Sequence, residues 1–345
     1  MIREAIKKAV DGNDLTFDLA REAMDEIMRG EATNAQIAAF LTALRMKGES
    51  IDEITACAGV MRSKCTRLPV DREVIDIVGT GGDGAMTFNI STVTAFVVAA
   101  AGVPVAKHGN RSVSSRCGAA DFLEALGANL NLTPVQNAQV LDRTGMCFMF
   151  APNYHTCMKY AAPVRKEIGA RTIFNILGPL ANPAFATLQL LGVYDKKLLV
   201  PMAQVLLNLG VRRAMVVHGD DGLDEISLTT TTSVCEAADG ALRRYTLDPR
   251  DLGFSFCRPE ELEGGEAADN VKIAEAIFAG EKGPKRDVVL LNASACLYLA
   301  GKAETLKEGV ALAAQILDSG RAERKMREFV AATQDVSRET QEAGA

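Results

Sequence analysis

Val74-Ile75-Asp76-Ile77-Val78 runs straight into Gly79-Thr80-Gly81-Gly82-Asp83-Gly84. A short β-rich run that breaks into glycines, with an apolar helix expected over 91–101, opens a βαβ unit. The pattern repeats downstream. Val103 to Lys107 reads as the next strand, followed by a polar loop and a helix over 120–126. Met146 to Phe150, Leu188 to Tyr194 and Ala214 to His218 read as further buried strands, with helical stretches such as 196–208 between them. Strands alternating with helices predict a central, mostly parallel sheet. Ser227 to Cys235 and Ala241 to Leu247 predict a terminal hairpin turning at Asp239-Gly240. From Ala268 the chain reads as helices again, with a polar tail after about Thr333.

Upstream of this unit the pattern is helical only. Thr33 with Gln36, and Ser50 with Glu53, are capping-box pairs that open helices over 34–47 and 51–64. Earlier helical stretches lie near 3–10 and 17–29, each followed by a glycine. Ile54, Cys57, Met61 and Cys65 form one apolar stripe at helical spacing. The expected fold class is therefore α/β: a small all-helical domain over 1–66 and a large α/β domain over 70–335. A segment near 165–183 is expected to pack with the helical part.

The 345 residues carry 48% hydrophobic and 24% charged side chains, a globular composition long enough to bury a sizeable core unaided. The net charge of −6 argues against an extended nucleic-acid surface, which needs a basic face. Eight cysteines form no C-x-x-C and no zinc spacing, so they read as reduced, buried thiols. No run approaches a membrane span and no apolar leader opens the chain. The expectation is a soluble cytoplasmic protein with no nucleic-acid or membrane partner.

Gly79 to Gly84 matches G-x-G-x-x-G, but a dinucleotide site would want an acidic residue about 20 positions on. Ala99 to Lys107 holds no acid and ends in a lysine, and no Gly-Lys-Ser/Thr follows the glycines. What remains is a loop whose bare amides can approach an anion. Thr87, Asn89, Ser91 and Thr92 precede the apolar helix, and Ser91 and Thr92 are its N-cap candidates. Lys107-His108-Gly109-Asn110-Arg111-Ser112-Val113-Ser114-Ser115-Arg116 packs three cations and three serines into ten residues, a composition suited to phosphate. The window 107–171 holds eight Lys or Arg against four Asp or Glu, a local net of +4. Asp220, Asp221, Asp224 and Glu225 form an acidic loop after a strand, and Mg²⁺ takes such carboxylates together with phosphate oxygens. The three histidines lack metal-ligand spacing.

Taken together these segments resemble the anthranilate phosphoribosyltransferases. The strings that carry the resemblance are GTGGD at 79–83, NIST at 89–92, KHGNRSVSS at 107–115 and DFLEALG at 121–127. MKYAAPVRKEIGARTIFNILGPLANP at 158–183 and HGDDGLDEIS at 218–227 complete the order. The resemblance implies a helical domain beside a nucleoside-phosphorylase-like α/β domain, homodimers formed through the helical domain, and a Mg²⁺-dependent transfer of phosphoribose from phosphoribosyl pyrophosphate to anthranilate. It implies phosphoribosyl-pyrophosphate contacts at Gly79, Gly82, Asp83, Thr87, Asn89, Ile90, Ser91 and Thr92 and along Lys107 to Ser115, with Ala119 at the edge. Anthranilate contacts are implied at Gly79, Asn110 and Arg165, with His108 and Pro179 nearby, and Mg²⁺ contacts at Ser91, Asp224 and Glu225. No acid–base residue is assigned. The chain departs from the pattern at Cys117 and Ala119, both commonly Ser, and at Thr156-Cys157, commonly Pro-Ala. A pyrimidine nucleoside phosphorylase on the same fold would carry a different loop at 107–115 and would not need the Asp224–Glu225 pair. A nucleic-acid-binding relative is opposed by the net negative charge.

Overall fold

A computed structural model describes residues 1–112 and 116–343, with side chains described as far as 339. Four helices open the chain: α1 (Ile2–Val10), α2 (Phe17–Arg29), α3 (Asn34–Lys47) and α4 (Ile51–Lys64). Both expected capping boxes form, Thr33 with Gln36 and Ser50 with Glu53, and they fix where α3 and α4 begin.

The α/β part runs β1 (Ile75–Gly79), α5 (Ile90–Ala100), β2 (Val105–Gly109), α6 (Ala119–Ala125), α7 (Pro134–Thr144) and β3 (Met146–Phe150). Short helices α8 (Ala151–Tyr154), α9 (Ala162–Ile168) and α10 (Phe174–Leu177) lead into β4 (Leu188–Gly192), α11 (Leu199–Asn208) and β5 (Arg213–Gly219). The hairpin β6 (Thr232–Ala238) and β7 (Ala241–Leu247) follows. The chain ends in α12 (Ala267–Phe278), α13 (Pro284–Leu299), α14 (Leu306–Asp318) and α15 (Arg321–Ala343). The expected polar tail is thus helical, because Thr333 and Val336 are buried and anchor the last turns. At the hairpin turn Asp239 and Gly240 both take positive φ, 51° and 77°, the primed geometry that matches strand twist.

The seven strands lie in the order β3-β2-β1-β4-β5-β6-β7. The first five are parallel, and β6 and β7 are antiparallel additions. Strand order reverses between β1 and β4, and a crevice beyond the carboxyl ends of such a pair is where open α/β sheets bind ligands. One face of the sheet buries Ile75, Ile77 and Val105 against α5, α13 and α15. The other face shares a core with the helical bundle and with Val164, Phe174 and Leu177 from α9 and α10. Arg62 of α4 ties the two parts, donating to the carbonyls of Leu180 at 2.6 Å and Leu209 at 2.8 Å.

Candidate active site

Four neighbouring parallel strands end in glycine: Gly79 on β1, Gly109 on β2, Gly192 on β4 and Gly219 on β5. Gly79 and Gly192 pair in register at the reversal point. The absence of side chains there admits Asp224. A Cβ on Gly79 would lie 2.3 Å from its Oδ2, and one on Gly192 would lie 1.5 Å from its carbonyl oxygen. The Gly81 amide donates to Asp224 Oδ2 at 2.6 Å, and Asp83 Oδ2 accepts from the Asp224 amide at 3.4 Å. Gly81 and Gly82 take φ of 70° and 74°, which lets the loop turn its backbone inward. Arg171 donates to the Gly82 carbonyl and stacks on Tyr194 at 4.0 Å.

The acidic loop divides its labour. Asp220 accepts from Thr231, Lys196 and Ser233, and Asp221 from Ser227 and Thr229, so both are spent closing the loop. Asp224 faces the glycine loop instead, and Glu225 the start of α5. Burial, then the charge of Asp83, pushes the Asp224 carboxyl up; burial, then Asp224, pushes Glu225 up. The Ser91 amide, at the start of α5, donates to Glu225.

Lys107 and His108 belong to β2, which extends two residues beyond the expected strand. Period-two alternation sends them to opposite faces. Lys107 is 2% exposed, and its Nζ donates to the Ile77 carbonyl and to Ser91 Oγ at 3.1 Å. It therefore points under the crevice toward the acidic pair and not out along the polar loop. Burial lowers its pKa, and the charges of Asp76, Glu225 and Asp224 oppose that shift.

The start of α5 departs from expectation. Asn89 occupies the N-cap position without a side-chain cap bond, its amide held by Cys117 and Asn270. Ser91 is taken by Lys107 and Thr92 is fully buried, so neither caps the helix. Ile90 is buried, and Thr87 bridges to Glu263. Asn270 of α12, 1% exposed, accepts from the Asn89 amide at 3.0 Å. Sequence reasoning missed Asn270 and Arg171; for Asn270 the signal was an amide within the apolar pattern of a helix.

In the polar loop Asn110 and Arg111 are exposed, and Arg111 pairs with Asp121 at 2.8 Å and Glu124 at 2.6 Å. The Ser112 amide donates to Asp121 at 3.1 Å. Val113, Ser114 and Ser115 lie outside the described residues. Ala119 opens α6 and is half-buried. Arg165 on α9 is half-buried, with its guanidinium 5.2 Å above the Phe174 ring and no ion pair among the described residues. On the face opposite Lys107, the His108 and His155 rings lie 5.0 Å apart. Burial pushes them down to about 3 and about 4, so both are neutral at pH 7. Pro179 is buried and accepts from Gln189 at 2.7 Å.

Among the described residues no three His, Cys, Asp or Glu side chains converge to hold a metal by themselves. Two crowded carboxylates beside the Ser91 hydroxyl instead suit an ion that takes few protein ligands and fills its octahedron with water and phosphate oxygens, as Mg²⁺ does.

A helical bundle packed on a sheet with this reversal point and glycine loop is the two-part architecture of the glycosyl transferase family, whose models the chain matches. Residues 3–65 match the glycosyl transferase family's helical bundle domain, and residues 71–323 its a/b domain. Among curated relatives, the anthranilate phosphoribosyltransferase of Ruminiclostridium cellulolyticum is 60% identical over 330 residues, 96% of this chain and 97% of that protein. The crystal structure of the Thermus thermophilus anthranilate phosphoribosyltransferase superposes with a TM-score of 0.91 at 45% identity, covering 96% of this chain and 99% of that one. That of Saccharomyces cerevisiae, in complex with PRPP and Mg, superposes at 0.89 and 26% identity, covering 97% and 98%. The chain belongs to the anthranilate phosphoribosyltransferase family.

Proposed function

We infer that the protein transfers the phosphoribosyl group of 5-phosphoribosyl 1-pyrophosphate to the amine of anthranilate, releasing pyrophosphate, as a step of tryptophan biosynthesis. The observation that carries this reading is the meeting of the glycine loop and the Asp224–Glu225 pair at the strand reversal, in a chain 60% identical to an anthranilate phosphoribosyltransferase. The test is loss of anthranilate fluorescence on adding phosphoribosyl pyrophosphate and Mg²⁺. Anthranilate left unconsumed under those conditions would overturn it.

In this reaction the bond from the anomeric carbon to pyrophosphate breaks and a bond to nitrogen forms, through an oxocarbenium-like sugar. Negative charge grows on the leaving group. Mg²⁺, held by Ser91, Asp224 and Glu225, would supply charge stabilisation to the departing pyrophosphate. The glycine-loop amides and the start of α5 supply fixed dipoles to the same charge. Phosphoribosyl-pyrophosphate contacts are assigned to Gly79, Gly82, Asp83, Thr87, Asn89, Ile90, Ser91 and Thr92, and to the loop that begins at Lys107. An aromatic amine is neutral and nucleophilic at pH 7, and the anilinium formed with the new bond is acidic enough to give its proton to the departing pyrophosphate or to water, so the reading calls for no strong base and gives the buried neutral histidines no proton-transfer role. Catalysis is then positioning plus electrostatics.

Anthranilate is assigned to Gly79, Asn110 and Arg165. A half-buried guanidinium with a ring beneath it and no carboxylate partner among the described residues is suited to a bidentate carboxylate from a ligand. Burial lowers its pKa, the cost of holding a cation there without a counter-charge. Losing a charge-assisted pair costs roughly 1.5–3 kcal/mol. Arg165→Ala is expected to raise the anthranilate KM about ten- to a hundredfold and to leave that of phosphoribosyl pyrophosphate within about twofold. Titrating each substrate at saturation of the other checks it. Equal weakening of both would overturn the assignment.

The same reading divides the chain into a helical domain over 1–66 and a catalytic domain over 70–335, working as a cytoplasmic homodimer through the helices. Val10, Phe17 and Met46, on the bundle, are exposed apolar side chains that a second copy could cover. Light scattering at micromolar concentration should give twice the monomer mass; a monomer would contradict the dimer.

A further inference from the structure

We propose that Asn292, in the middle of α13, is a positioning residue that sets the Asp224–Glu225 carboxylates at the mouth of the crevice. Its neighbours in the sequence are Val288-Val289-Leu290-Leu291 and Ala293, all buried, and Asn292 itself is fully buried. A buried amide inside an apolar helix is costly unless its polar atoms are satisfied. Here they are. The Asn292 side-chain oxygen accepts from the Ile226 amide at 3.1 Å, and its nitrogen donates to the Ile226 carbonyl at 3.0 Å and to the Val288 carbonyl at 2.9 Å.

Ile226 immediately follows Glu225 and lies between β5 and β6, outside the sheet. Its buried main chain therefore needs a partner from elsewhere. The amide of Asn292 offers one donor and one acceptor side by side, as a neighbouring strand would. On its other side the carboxylate pair is bounded by the turn that Asp221 closes, through its bond from the Leu223 amide at 3.2 Å. Asn292 is the far pin, delivered by a helix that packs along α5 behind the crevice. Outer-shell partners of this kind typically change metal affinity or activity about ten- to a hundredfold when lost. The inference rests on the reading of Asp224 and Glu225 as metal ligands.

Asn292→Thr is the test. Its hydroxyl can bond back to Val288, as helical threonines do, while both bonds to Ile226 are lost. Mn²⁺ binding to the protein with no phosphate present, read by the loss of the free Mn²⁺ resonance, should weaken about ten- to a hundredfold. The kcat at standard Mg²⁺ should fall and recover partly at raised Mg²⁺, while the anthranilate KM holds. Thr333→Val, which removes the bond from the Asn129 amide to α15, outside the elements that hold the carboxylates, should leave Mn²⁺ binding unchanged. Wild-type Mn²⁺ affinity in Asn292→Thr would overturn the proposal. Glu225→Gln separates the two layers: if that variant binds Mn²⁺ like the wild type, the metal reading fails and this inference falls with it. If Thr prevents folding, Asn292→Ser is read by the same criterion. Failure of both to fold would assign Asn292 a purely structural role and overturn the proposal.

Discussion

Glu225→Gln and Asp224→Asn should each give a folded protein whose turnover is lower by on the order of 10²–10³, the usual effect of removing a group that stabilises transition-state charge. Both carboxylates sit where burial and neighbouring acids oppose their ionised forms. Burial and like charge outweigh the Gly81 and Ser91 amides and the Lys107 charge that favour the ionised forms, so removing one of the like charges should hold or raise the melting temperature. Activity and stability then move in opposite senses, which a merely structural role would not produce. The amides are close in size, and Asn at 224 can still accept from the Gly81 amide, which now reaches Asp224 at 2.6 Å. Excess EDTA should abolish wild-type turnover. Full turnover in EDTA, or a wild-type rate in the double variant, would remove the metal assignment. Thermal melts and rates on the same preparations supply both readouts.

Gly192→Ala should reduce kcat/KM about a hundredfold without a change of fold. The backbone of Gly192 is not in the left-handed region, so alanine carries no intrinsic strain there. The effect comes from collision, because the new Cβ would sit 1.5 Å from the Asp224 carbonyl oxygen. A main-chain atom cannot swing aside as a side chain can, so the acidic loop must move by an ångström or more. A displacement of that size in a site that works by positioning costs about 10² in rate, and forced repacking destabilises by roughly 1–3 kcal/mol. Gly59→Ala is the matched comparison. It lies inside α4 with nothing within 4 Å of a Cβ, and should stabilise by about 0.5–1 kcal/mol at full activity. Equal activity in the two variants would show that the close approach of Asp224 to β4 does not matter.

Much of the architecture was legible because its signals are local. Capping boxes at Thr33 and Ser50 and the Asp239-Gly240 turn act within four residues, and α3, α4 and β7 have the expected bounds. The strand expected over Ser227 to Cys235 instead runs Thr232–Ala238, because Ser227, Thr229 and Thr231 hydrogen-bond to Asp221 and Asp220 and close the acidic loop. The βαβ alternation was equally readable from hydrophobic pattern. Local cues failed where a distant partner competed. Ser91 looks like a cap, but the Lys107 ammonium takes its hydroxyl. His108 and Gly109 look like loop residues beyond a strand ending at Lys107, but pairing with Met149 and Phe150 of β3 draws them into the sheet. Arg111 reads as a phosphate cation, and the structure gives it to Asp121 and Glu124 on α6.

Neighbouring residues alone carry the class of elements, their order, the glycine loop and the acidic loop of Asp220, Asp221, Asp224 and Glu225, because periodicity, caps and motif spacing are local properties. Packing settled which groups meet. Strand order put Gly79 beside Gly192, although 113 positions of chain separate their numbers, and so opened the gap that Asp224 enters. The same packing divided four similar acids into two that close a loop and two that face the crevice. It also brought Asn270 and Asn292 from the last third of the chain onto the backbones of Asn89 and Ile226. Such long-range bonds form because buried peptide groups must find partners somewhere, and the choice of partner belongs to the packing of whole helices on the sheet, which no local pattern encodes.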